Sequence, residues 1–142
     1  MYAKRSGNKL VIRLQAGEDV HYSLLDICRE HSVHGAFVIS GIGMLSEPEL
    51  GFFVKDGQYE RQRFPGRHEL LNLCGNISLR DGDVMAHLHA MLANEDYSVF
   101  GGHLFEARVG LTLEVLLQIV PDEVRMYRVV EPDSGLPGLI VE

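Results

Sequence analysis

From residue 36 to residue 130 this chain is a succession of apolar or alternating segments separated by very short turn signals. Asp56-Gly57, Pro65-Gly66, Asp81-Gly82 and Asn94-Glu95-Asp96 are the clearest of them. Asp-Gly between two such segments is a strong hairpin signal, because the tight turn that joins twisted strands needs positive φ at both central residues. Parallel pairing requires a crossover of a dozen residues or more, and these links leave no room for one. Consecutive strands must therefore run antiparallel. The expected strands cover residues 9–14, 36–40, 50–54, 58–64, 69–79, 84–92, 99–109, 112–120 and 123–130. Gly41 and Gly43 mark a bulge or a close backbone approach between the second and third.

One segment breaks the pattern. Val20, Leu24, Ile27 and Cys28 recur at the spacing of a single buried helical stripe. Gly17-Glu18-Asp19 precedes them, with acidic side chains suited to a helix N-terminus and Asp19 or a neighbour as its cap. His31 and Gly35 close it. The fold class is thus α+β: a mainly antiparallel sheet with one principal N-terminal helix covering part of it. A chain of 142 residues suits a single domain. That length buries roughly 70% of the unfolded surface without disulfides or metals. Residues 132–142 are turn-rich and read as an extended C-terminal arm, whose Leu139-Ile140-Val141 dock on this subunit or a neighbour.

Composition narrows the function classes. No apolar run approaches the ~20 residues of a membrane helix, and the N-terminus lacks the apolar stretch of a signal peptide. A cytoplasmic protein is expected. Cys28 and Cys74 sit in apolar patterns and read as buried free thiols, since a reducing compartment disfavours a disulfide. The net charge of −7 opposes sequence-independent nucleic-acid binding, which needs clustered Lys and Arg. Arg61, Arg63 and Arg67, with His68, come closest to a basic patch.

The chemistry-bearing feature is a set of three histidines. His87 and His89 are two residues apart, which on a strand puts both imidazoles on one face. Val84, Ala86, Leu88, Ala90 and Leu92 form the opposite, core face. The next strand carries Gly101-Gly102-His103, and a hairpin would set His103 opposite the pair. The glycines let a neighbour approach the backbone there. Three neutral imidazoles suit a divalent metal, zinc above all, and leave a fourth position open for water or substrate. Such an ion lowers the pKa of a bound water or polarises a carbonyl. Each ligand needs an outer partner to fix its tautomer; Glu69, Asn72, Asn76 and Glu114 qualify by type. Glu69 is also the candidate catalytic acid or base. His21, His31, His34 and His68 have no such company and read as structural or surface residues.

Four ordered motifs carry a family resemblance. Gly66-Arg67-His68-Glu69-Leu70-Leu71-Asn72-Leu73-Cys74-Gly75 resembles the Gly-Arg-Phe-Glu-Ile-Leu-Ser-Leu-Ser-Gly core of the plants-and-prokaryotes-conserved (PPC) domain. Ser40-Gly41-Ile42-Gly43, His87-Leu88-His89 with Gly101-Gly102-His103-Leu104, and Thr112-Leu113-Glu114-Val115 match its other strands in order. The resemblance spans residues 5 to 130 or so. It implies one PPC domain over residues 1–131, a partial barrel assembled as a homotrimer, and His87, His89 and His103 as metal ligands. The fold is also similar to acetolactate decarboxylase, which implies lyase or decarboxylase chemistry on 2-keto or 2-hydroxy acids. Family members carry a DNA-binding label, which in the plant proteins rests on a separate Arg-Gly-Arg-Pro hook that this chain lacks. His68 also replaces the Phe of the plant docking motif. A DNA-binding module and a non-catalytic oligomerisation scaffold are the alternatives to a small-molecule metal protein.

Overall fold

The computed structural model describes residues 1–55 and 57–142. The expected Lys55-Asp56-Gly57 turn falls on Asp56, outside the described residues. In chain order the elements are β1 (Tyr2–Ser6), β2 (Lys9–Gln15), α1 (Val20–Glu30), β3 (Ala36–Lys55) and β4 (Gln58–Arg63). They continue with β5 (Arg67–Arg80), β6 (Asp83–Ala93), β7 (Val99–Ile119), β8 (Met126–Val130) and β9 (Pro137–Val141). The strands form one sheet in the order β1-β2-β7-β3-β5-β8-β9, with β4 on β3 and β6 held between β5 and β7. All pairings are antiparallel except β8 on β5, which is parallel and rests on Leu79 opposite Tyr127. Among the described residues no helix is long and apolar enough to cross a membrane.

The helix follows its sequence signals. Asp19 accepts a hydrogen bond from the Tyr22 amide at 3.0 Å, and Val20, Leu24, Ile27 and Cys28 are the buried stripe. That stripe packs on β6 and β7, over a core that includes Ile12, Leu88, Leu92, Leu113 and Leu117. Burial pushes the Cys28 thiol up to about 12, so it stays protonated. At the far end of α1, Arg29 grips Asp83 at 3.1 and 2.9 Å, tying the helix to the β5–β6 turn. That turn has the expected form: Asp81 and Gly82 sit at φ +52° and +85°, with Arg80 and Asp83 paired across it.

The structure corrects several expectations. Residues 36–55 form one strand, not two, and so do residues 99–119. Where breaks were expected, β3 carries register shifts instead, at Val38/Ser40, Gly43/Leu45 and between Ser46 and Leu50. Each bulge bends a strand without ending it, so β3 and β7 can stay paired along most of their length. β1 was not foreseen; it closes a hairpin on β2 through Gly7 at φ +58°. The arm docks on its own chain, the first of the two expected places: β9 pairs antiparallel with β8. Cys74 is exposed, not buried, because the β5 alternation gives the core position to Leu73. Of the residues that come closest to a basic patch, Arg63 pairs with Glu49 and Glu106, Arg61 with Glu49, and His68 is buried against Phe64 and Phe100.

Candidate metal centre

The strand register assembles the site. His89 lies opposite His103 across β6 and β7, while Asn76 lies opposite His87 and Cys74 opposite His89 across β5 and β6. Directly opposed residues share a face, so all five side chains rise from one patch of sheet. The core face of β6 is as expected, with Val84, Leu88, Ala90 and Leu92 buried. Gly101 lets β7 approach β6 closely: a Cβ there would lie 2.6 Å from the Ala90 carbonyl oxygen.

The three imidazoles converge. Their ring centroids are 5.1, 4.9 and 5.2 Å apart, and one ligating nitrogen from each lies within 4.8 Å of the others. His87 Nε2 and His89 Nε2 are 3.2 Å apart. Two nitrogens bound at about 2.0–2.1 Å to one tetrahedral ion sit roughly 3.3–3.4 Å apart, so this pair already has ligand spacing. Burial lowers His87 to about 4, assisted by Arg128 and His89. Burial likewise lowers His103 to about 4, assisted by His87, His89, His21 and Arg61. Both rings are therefore neutral at pH 7, with the free lone pair a metal needs. His103 Nδ1 is buried without a hydrogen-bond partner among the described residues, whereas His89 is exposed and leaves the cluster open on its side. This donor set fits a divalent transition metal.

Three neighbours were missed by sequence reasoning. Arg128 on β8 donates from Nη2 to His87 Nδ1 at 3.1 Å and to Asn76 Oδ1 at 2.8 Å. Tyr59 and Phe105 pack on His103, with centroids 5.1 and 4.5 Å from it. The aromatics follow from alternation on β4 and β7, but Arg128 depends on the parallel β5–β8 contact, which has no local signal. Of the proposed outer partners, Asn76 is in place, acting through Arg128. Asn72 lies opposite Met91, and Glu114 lies beside Arg13 and Ile42. Glu69 is exposed and pairs with Ala93. That is four residues along β6 from His89, roughly 14 Å at strand rise, so the structure does not bring it into the cluster.

An antiparallel α+β fold with three histidines on adjacent strands defines a class, and comparison with known proteins names it. The model of the Plants and Prokaryotes Conserved (PCC) domain matches residues 1–121, and the chain belongs to that family. Among solved structures, a candidate DNA-binding protein from Bacteroides thetaiotaomicron is 29% identical, with TM-score 0.89 over 98% of this chain and 96% of that one. A metal-containing protein from Archaeoglobus fulgidus is 26% identical, with TM-score 0.84 over 96% and 95% of the two chains. A curated relative, the bifunctional protein GlmU of a Synechococcus strain, is 30% identical over 132 residues. The match covers 92% of this chain but only 20% of that protein; the chain spans about a fifth of its curated relatives.

Proposed function

We propose that this protein holds one zinc ion on His87, His89 and His103 and binds a small organic molecule there. The observation that carries the reading is the 3.2 Å approach of two neutral imidazole nitrogens, with the third ring closing the triangle. The metal-containing Archaeoglobus protein of the same fold supports it. A bound divalent ion would supply a Lewis acid with an open coordination position. The chain's own residues would do the rest. Burial keeps two ligands unprotonated, and the exposed His89 side admits the molecule. Tyr59 and Phe105 wall one flank and exclude water from His103. The chemistry fitting this centre is activation of a carbonyl or carboxylate oxygen, with 2-keto and 2-hydroxy acids as the first class to screen.

The remaining parts of the reading are proposals on the same footing. The protein works as a cytoplasmic homotrimer, supported by an open apolar face on the sheet (Val11 and Ile42 are 62% and 52% exposed). Glu69 acts as acid or base only toward the centre of another copy, given its distance from the cluster in its own chain. A Glu69→Gln variant that keeps metal and full activity on the eventual substrate removes that role. The deciding experiment is metal content per chain, by mass spectrometry, of protein purified without chelators. About one zinc per chain in the wild type, lost in His87→Ala with folding intact, is the expected result. A metal-free wild type overturns the reading.

A further inference from the structure

We propose that Arg128 is the anion-recognising partner of the three-histidine centre, so that its ligand is a small molecule bearing a carboxylate. This rests on the metal reading above and names the ligand class for that same site. Arg128 is half-buried, and all four of its hydrogen-bond acceptors are neutral. They are Ser78 Oγ at 3.2 Å, Pro137 O at 2.7 Å, Asn76 Oδ1 at 2.8 Å and His87 Nδ1 at 3.1 Å. Among the described residues no carboxylate forms an ion pair with it. A partly desolvated charge without a counter-charge is costly, and here it lies against residues that would bring in a second cation. Three neutral ligands leave the whole double charge on the ion. With Arg128 the centre is strongly positive in a chain of net charge −7. Since the described residues supply no anion to the cluster, the ligand is the natural source.

The proton inventory points the same way. A neutral imidazole carries one ring proton. In the structure His87 Nδ1 faces a guanidinium N–H, and arginine can only donate. Were His87 to ligate through Nε2, its ring proton would lie on Nδ1, setting donor against donor. Loading the centre would therefore leave one Nη2–H without its acceptor on His87. Among the described residues the only acceptor for Nη1 is Pro137 O, which leaves its second hydrogen free. One N–H on each terminal nitrogen would then be available to a carboxylate, whose geometry the guanidinium matches. The braces from Pro137, Ser78 and Asn76 remain to hold the guanidinium in place. The aromatic flank of Tyr59 and Phe105 beside His103 favours an organic acid over a bare inorganic anion.

The test uses cobalt(II) in place of zinc, because its visible spectrum reports the coordination sphere. Cobalt-loaded protein is titrated with pyruvate and with its uncharged methyl ester. The expected result is half-saturation by pyruvate at about tenfold lower concentration or less. Arg128→Gln should keep its cobalt, counted by mass spectrometry, and lose that preference. Arg128→Lys should recover part of it, as a point charge without the fork. Equal titration by acid and ester, or a preference unchanged in Arg128→Gln, overturns the inference while the metal reading stands. Failure of the wild type to take up cobalt overturns both.

Discussion

A histidine in water takes its proton near pH 6.5, but His87 and His103 are both held near 4, chiefly by burial. Two consequences follow for the metal and for the apo protein. Protons compete weakly for the two nitrogens above pH 4, so metal binding should survive mild acid. Occupancy followed by mass spectrometry after equilibration should hold to about pH 5; loss centred at pH 6.5 would show ordinary imidazoles. For the metal-free protein the sign is set by the unfolded chain. Between pH 6.5 and 4 the unfolded state binds more protons than the folded one, so stability falls as pH falls through that window. It is fully present above 6.5. The melting temperature of apo wild type should drop between pH 7 and pH 5, and that drop should shrink in a His87→Ala/His103→Ala double variant. An equal drop in both would place the acid sensitivity elsewhere.

At the scale of the element, the site depends on how β5 and β6 meet. Gly75 sits at φ +146°, and a Cβ there would collide with the His87 carbonyl oxygen, the backbone that carries a ligand. Gly82 also has positive φ, +85°, but a Cβ there meets nothing within 4 Å. Gly75→Ala should therefore cost about 2–4 kcal/mol, combining backbone strain with a steric clash, and should reduce metal occupancy. Gly82→Ala should cost about 1 kcal/mol and leave occupancy unchanged. Denaturant melts and metal counts on the pair separate the two; equal effects would mean Gly75 is only a turn-like residue. The same contrast explains what could be read from the chain beforehand. His87, His89 and His103 were legible because a period of two and a tight hairpin are local rules. The Asp81-Gly82 turn was legible for the same reason. Gly41 and Gly43 were legible as a bulge or close approach, and a register shift falls at Gly43/Leu45, but a bulge and a break share a signal, so β3 and β7 were each cut in two. Arg128 was invisible because it reaches His87 only after β8 returns beside β5, a contact made across some fifty residues of chain.

The molecule as a whole carries two unlike surfaces. Its charge is −7, which opposes sequence-independent binding to duplex DNA, and Arg61 and Arg63 pair with Glu49 and Glu106. The other surface is the solvent face of β2, β7 and β3. Val11 opposes Leu116, and Ile42 and Phe37 lie on the same face through Glu114 and Gln118. Beside β1 they border a groove of about 490 Å³ that includes Tyr2, Val11, Ile42 and Leu116. An exposed apolar patch of this kind on a folded domain marks an interaction surface, and a second copy of the chain is the occupant proposed for it. Arg13 and Glu114, opposed across β2 and β7, put both signs of charge on that face, so two copies meet there without net like-charge repulsion. Light scattering should give the mass of three 15.9 kDa chains. Ile42→Asp, at a position 52% exposed, should leave the circular dichroism spectrum intact and shift the mass to one chain. If the wild type is monomeric the assembly proposal falls. If Ile42→Asp stays trimeric, the contact between copies lies on another face.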